Sequence, residues 1–213
     1  ECVECCVPCC TNCCDDPCVR WTISAGALFL ERSDPSDSPL FFNPAVEGET
    51  MNASDFDFGW YGGYEVGVTR HRLFWDTDVE ARFWQVDGWT DTVDATFSGP
   101  STAIATNPPT QIVGPRDVTS TYGSEILSLE LNLKRRCAYI PRWRWTAGFR
   151  MLELDEGLYS LMDSPEPLGD GACNVSTRNR LYGVQIGGEL DILSTCNWCV
   201  RGFVKGGVYA NEA

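Results

Sequence analysis

Ser124–Lys134 reads SEILSLELNLK, and its alternation decides how the rest of the chain is read. Leu127, Leu129, Leu131 and Leu133 fall on one parity, Ser128, Glu130, Asn132 and Lys134 on the other. Successive side chains of a strand point to opposite faces, so this stretch is a β-strand with one apolar and one polar side. A helix would scatter the four leucines around its axis.

The same period recurs along the chain. Phe58–Thr69 sets Phe58, Trp60, Tyr64, Val66 and Val68 against Tyr61, Glu65 and Thr69. Trp75–Val86 opposes Trp75, Val79, Ala81 and Phe83 to Asp76, Asp78, Glu80 and Arg82. Arg142–Leu152 separates Trp143, Trp145, Ala147, Phe149 and Met151 from Arg144, Thr146, Gly148 and Arg150. Leu181–Ile192 separates Tyr182, Val184, Ile186 and Leu190 from Gln185, Gly187 and Glu189. Trp21–Glu31 and Cys199–Tyr209 alternate less cleanly but are bounded by turn residues. The prediction is an all-β chain with at least seven strands, most of them long enough for the roughly 9–11 residues of a tilted membrane strand.

Between these strands, long and short connections alternate. Ser33–Ser54, Gly88–Asp117 and Asp155–Thr177 are long; Arg70–Phe74, Arg135–Pro141 and Leu193–Trp198 are short. An antiparallel up-and-down transmembrane β-barrel has this rhythm, with short periplasmic turns and long outer loops. Soluble β-sandwiches have no reason to keep it. With the amino terminus on the periplasmic side, Trp21, Trp75, Trp143 and Trp145 fall at one interface, and Trp60 and Tyr182 at the other. Two aromatic girdles are therefore predicted.

Composition fits this reading. The 213 residues carry 16 Lys+Arg against 30 Asp+Glu, a formal charge of -14, which excludes nucleic acid as a partner. Mean hydropathy is −0.19 and no apolar run approaches the roughly 20 residues of a spanning helix. A barrel averages to the same neutrality, because lipid-facing and interior residues alternate. The opening Cys-rich sequence is expected to be a processed, exported amino terminus in an oxidising compartment.

The segments WTISAGALFLER (Trp21–Arg32), DFDFGWYGGYEVGV (Asp55–Val68), RFWQVDG (Arg82–Gly88), AGFRMLELDEGL (Ala147–Leu158) and TRNRLYGVQIGGELDI (Thr177–Ile192) resemble the planctomycete BBP7-type outer-membrane β-barrel family. The resemblance runs from Arg20 to the end of the chain, and rests on the order and spacing of motifs that are individually weak. It implies a bacterial outer-membrane barrel over residues 20–213 with a porin-like role, and offers no catalytic residues. Such proteins continue through further strands, and bacterial barrels have even strand numbers. The barrel domain is therefore expected to be incomplete at its carboxyl end.

Parity assigns Glu65, Asp78, Glu80, Arg82, Glu130, Lys134, Arg144, Arg150, Glu189, Arg201 and Lys205 to the interior. Two readings stay open. The charges line a water-filled path that passes small polar solutes, or they pair across a narrow lumen and occlude it, leaving a structural barrel of the envelope or a surface array. Acidic residues such as Asp34, Glu49, Asp91, Asp155 and Glu156 are assigned to outer loops, either merely solvated or holding divalent cations.

No enzyme is predicted. The single histidine, His71, falls in a short turn, and adjacent Asp155 and Glu156 point apart. No cofactor or metal site is assigned. Residues 1–19 form a periplasmic tail with Cys2, Cys5, Cys6, Cys9, Cys10, Cys13, Cys14 and Cys18, whose overlapping spacing suits a metal site or, more readily, disulfides. Cys137, Cys196 and Cys199 are disulfide candidates on the same side; Cys173 stands alone in an outer loop. The partners expected are outer-membrane lipid and, through the tail, a second copy or a neighbouring envelope protein.

Overall fold

The computed structural model of the chain describes residues 20–75, 77–103, 110–112, 114–137, 139–140, 142–163, 170–194 and 199–212. The chain is all-β. Its strands are β1 (Trp21–Glu31), β2 (Pro39–Phe42), β3 (Thr50–Asn52), β4 (Trp60–Phe74), β5 (Thr77–Phe97), β6 (Ser101–Ala103), β7 (Thr110–Ile112), β8 (Arg116–Arg136), β9 (Trp143–Asp163), β10 (Gly171–Ser194) and β11 (Cys199–Glu212). A 3₁₀ turn follows β3 at Ala53–Asp55. Seven strands form one sheet in the order β1-β4-β5-β8-β9-β10-β11, and four short ones form a second in the order β3-β2-β6-β7. Every long-sheet pairing is antiparallel between chain neighbours, so the large sheet is a meander.

The strands run well past their predicted ends. β5 and β8 each span 21 residues and pair from Thr77↔Arg135 to Phe97↔Arg116. Most of Gly88–Asp117, read from sequence as an outer loop, is therefore strand. Most of Asp155–Thr177 is likewise strand, because Asp155–Asp163 completes β9 and β10 begins at Gly171. Ser33–Ser54, the third predicted loop, contributes β2 and β3 to the small sheet.

A β-bulge between Val86 and Trp89 explains why the period-two signal stops where it does. Gly88 sits there at φ 95°, a left-handed conformation that side-chain-bearing residues avoid. Below the bulge, even-numbered β5 residues pair with the polar parity of β8, as in Arg82↔Glu130. Above it, odd-numbered ones do, as in Trp89↔Ser124.

Along these strands the two faces exchange character. In the half nearest the short turns, Leu129, Leu131 and Leu133 are exposed (45%, 55% and 44%), while Ser128, Glu130 and Asn132 on the opposite face are buried. Nothing described packs on that leucine face. In the other half the outer rows are polar, Thr92↔Thr121 and Asp94↔Thr119, with hydrogen bonds between the paired side chains. The inner face there is apolar and carries the small sheet. Phe41, Met51 and Ala103 pack against Phe97, Val118 and Met162. Phe56 and Phe58 pack against Val86, Trp89 and Leu158. Phe58 is thus a core residue of this cap, not the outward aromatic its parity suggested, since β4 begins only at Trp60.

The large sheet is curled. β8 and β11 are three positions apart, about 14 Å in a flat sheet at ~4.8 Å per strand. Yet Lys205 on β11 donates to Glu130 on β8 at 2.6 Å. β5 and β11, four positions apart, meet where the Arg82 guanidinium lies 5.4 Å from the Phe203 ring centroid. Arg32, just past β1, reaches Glu156 on β9 at 2.6 Å. These contacts wrap the sheet around its charged face. Among the described residues no hydrogen-bonded ladder joins β1 to β11, so both are free edges.

Candidate functional site

The curl gathers the charged parity into one enclosed network near the short-turn end. At its centre the Glu130 carboxylate accepts from Lys205 (2.6 Å), Asn132 (3.0 Å) and Gln185 (3.0 Å), with Arg150 at 3.5 Å. Two rows nearer the turns, Lys134 bridges Glu80 and Glu189, both at 2.5 Å. Asn132 ties the rows together, donating to both Glu80 and Glu130 and accepting from Gln185. Arg82 pairs with Glu65, and Arg150 also donates to Ser128. Arg144 and Arg201 converge on Asp191 at 3.3 and 2.6 Å.

Burial makes these bonds obligatory. Glu130, Asn132, Gln185, Glu189 and Arg144 are all buried, and an unpaired charge or amide in such a place costs several kcal/mol, about 3–5 for a broken ion pair. The glycines of this face leave space for the long side chains. Gly148 sits against Asn132, and a Cβ there would collide with it.

All the residues that parity assigned to the interior lie on this face. Their partners are other members of the set in most cases: Glu65 with Arg82, Glu80 and Glu189 with Lys134, Glu130 with Lys205 and Arg150. Asp78 departs from the set. It accepts from the Arg72 backbone and lies 3.0 Å from His71 Nδ1, closing the β4–β5 hairpin. His71 is consequently not the exposed turn residue expected. It lies on β4 with its Nε2 2.8 Å from Thr22 Oγ1, held between strands on both sides. Asn132, Gln185 and Asp191 were absent from the predicted set. They share its parity, but two of them are uncharged amides that a search for charges passes over.

A second polar cluster sits higher on the same face, where the apolar cap begins. Arg32 donates to Glu156 (2.6 Å) and Tyr122 (3.2 Å), its guanidinium stacked over Phe58 and Tyr122. Burial pushes the Tyr122 hydroxyl above its ordinary pKa. Asp155 and Glu156 do point apart, but within β9 and not in a turn: Glu156 faces inward, Asp155 outward to Arg178 at 2.7 Å.

The aromatic candidates lie on the outer face or at its hairpins. Trp21 (60%), Trp60 (65%), Trp75 (86%) and Trp145 (59%) are exposed, whereas Trp143 and Tyr182 are partly covered. Trp75 occupies the β4–β5 turn at φ 48°. Trp143 meets Trp145 edge to face, with centroids 5.6 Å apart.

The cysteines Cys2, Cys5, Cys6, Cys9, Cys10, Cys13, Cys14, Cys18 and Cys196 lie outside the described residues, as does the side chain of Cys199. Cys137 and Cys173 are free thiols among the described residues. Cys173 lies not in a loop but on β10, packed against the Phe41–Met162 core. No protein-family model, curated protein or solved structure matches the chain.

Proposed function

We propose that the chain forms the wall of an outer-membrane β-barrel whose lumen is occluded, so that it serves the bacterial envelope as a structural or anchoring element and not as an open pore or an enzyme. The observation that carries this reading is the face exchange along β8. Its leucines are bare where its Glu130 carboxylate and Asn132 amide are buried, and beyond Glu125 and Gly123 the same outer side carries Thr121 and Thr119. Large apolar side chains left in water forgo about 1.5–3 kcal/mol each. A contiguous belt of them, from Ile23 and Phe29 through Val66, Leu131 and Phe149 to Ile186 and Val208, is intolerable in a soluble monomer and natural against acyl chains. No helix of the described residues is long and apolar enough to cross a membrane, so any crossing falls to the strands.

The belt has the right height. Tyr182 to Leu190 covers about 27 Å at ~3.4 Å per residue, or about 21 Å at a strand tilt near 40°. The apolar band of such barrels is roughly 25 Å tall. Rows of Gln85, Glu125, Glu153, Asp155, Arg178 and Arg180 bound it above, bonded to one another across strands. The strand halves beyond them stand in water outside, filled by the small sheet.

Occlusion is favoured over passage because the interior charges meet one another across the lumen and the cap packs apolar side chains above them. β1 and β11 point the same way in the meander, so antiparallel closure needs an odd number of strands between them. The contacts spanning four positions fit a barrel of about eight strands, whose lumen side chains fill. Single-channel recording of the protein in planar bilayers tests this: a silent bilayer after verified insertion is expected, and steady unitary conductance would return the porin-like reading to first place.

A further inference from the structure

We infer that the outer face carries a site for one anionic phospholipid at its short-turn rim, with the acyl chain in an apolar groove and the phosphate on arginine. The groove, about 280 Å³, is lined by Trp21, Val68, Arg70, Leu73, Val79 and Ala81. Its origin is in the register. Ile23, Val68, Ala81 and Leu131 form one outward row across β1, β4, β5 and β8, and Trp21, Arg70, Val79 and Leu133 form the next. Ala81 is the one short side chain in its row, so the surface dips there between branched neighbours. Leu73, from the end of β4, closes the dip toward the turn.

Charge complementarity selects the occupant. Arg70 is the polar residue of the lining, its guanidinium 5.1 Å from the Trp21 ring centroid and hydrogen-bonded to the Arg20 carbonyl at 3.2 Å. Arg20, brought beside it by the β1–β4 pairing, and Arg72, two residues along β4, lie at the same rim. The described acids nearest in sequence, Glu65 and Asp78, are both turned away, Glu65 onto Arg82 on the other face and Asp78 onto His71 and the Arg72 backbone. An exposed apolar slot ending in a guanidinium matches an amphiphile with an anionic head: dispersion and desolvation hold the chain, and charge-assisted hydrogen bonds hold the phosphate. The slot is also continuous with the aliphatic belt, so a chain lying in it never leaves hydrocarbon. A zwitterionic lipid brings an ammonium group that Arg70 repels; a soluble phosphate leaves the slot empty.

The site rests on the membrane reading, and the experiment separates the two. The full chain is reconstituted into vesicles of phosphatidylcholine alone and of phosphatidylcholine mixed equally with phosphatidylglycerol. It is then extracted in mild detergent, and the retained lipid is measured by mass spectrometry. Insertion is followed independently by protease protection. The wild type should insert in both and retain phosphatidylglycerol in preference. Arg70→Gln should lose about fivefold of that preference, the equivalent of about 1 kcal/mol for one arginine at a membrane surface. Ala81→Leu, which fills the slot with a residue typical of the belt, should lose retained lipid of either kind. Insertion with the same lipid ratio in wild type and both variants would overturn the site while leaving the barrel intact. Failure to insert in either vesicle would overturn the barrel, and the site with it.

Discussion

Lys205 and Glu130 meet at 2.6 Å although two strands separate β11 from β8 in the sheet. Both side chains are almost wholly withdrawn from solvent, at 10% and 3% exposure. The pair therefore acts as a tie that holds the sheet in its curl. Glu130→Leu should destabilise the protein by about 3–5 kcal/mol, because Lys205 and Arg150 lose the carboxylate they face. The double variant Glu130→Leu with Lys205→Met should recover a large part of that loss. Urea titration of the vesicle-inserted protein, arranged as a double-mutant cycle, measures the coupling.

Two substitutions on the outer face of β8 should behave oppositely. Leu131→Lys places a charge in the middle of the aliphatic belt and should cost about 2–4 kcal/mol in a bilayer. Thr121→Lys, ten residues up the same strand and on the same face, lies among hydroxyls and carboxylates and should stay within about 0.5 kcal/mol of wild type. The same denaturant titration reads both. Equal costs would deny the change of surroundings along the strand.

Gly188 lies beneath the Trp143 ring, and a Cβ at that position would run into the indole. Gly188→Val should force the ring off the sheet and break its edge-to-face contact with Trp145, at a cost of about 1–3 kcal/mol. A shift in tryptophan emission together with a lower unfolding midpoint would register this, and Gly206→Ala, where a Cβ meets nothing within 4 Å, serves as the control.

The small sheet should loosen in acid. Glu49 accepts from the Ser98 hydroxyl (2.5 Å) and backbone (3.0 Å) and from Asn43 (2.6 Å), tying the turn between β2 and β3 to the end of β5. The Ser98 hydroxyl and the Asn43 amide, which bond its charged form, hold its carboxyl below the ordinary value. Its native pKa lying below its unfolded one, this tie is at full strength above the ordinary carboxylate range and is lost as pH falls through the lowered native value. Protection of the Phe41–Asn43 amides against hydrogen exchange, taken relative to the intrinsic rate at each pH, should fall across that window in the wild type. Glu49→Gln should exchange fast at every pH and show no step.

The sheet half that bears the leucine belt was legible because its two faces differ so sharply: Leu131 beside Asn132, Phe149 beside Arg150, Ile186 beside Gln185. The other half was hidden for physical reasons. Thr90–Phe97 and Arg116–Gly123 place threonine and aspartate on the outer side, a composition shared with loops. The Val86–Trp89 bulge also moves β5 by one parity, so no single period runs through it. β2 and β3 are too short for any period, and Phe41 and Met51 look unremarkable until packed. The interior charges could be assigned to a face by counting, but not to one another. That Glu130 finds Lys205 depends on a curl the local sequence does not encode.

The sidedness of β8 is open to direct measurement. With leucine and isoleucine methyls labelled for NMR in lipid nanodiscs, a doxyl group at the acyl-chain end should broaden Leu129, Leu131, Leu133 and Ile186, and an aqueous gadolinium chelate should leave them sharp. Methyls broadened by the chelate, or untouched by the lipid-borne radical in a protein that stays dispersed without detergent, would contradict the barrel.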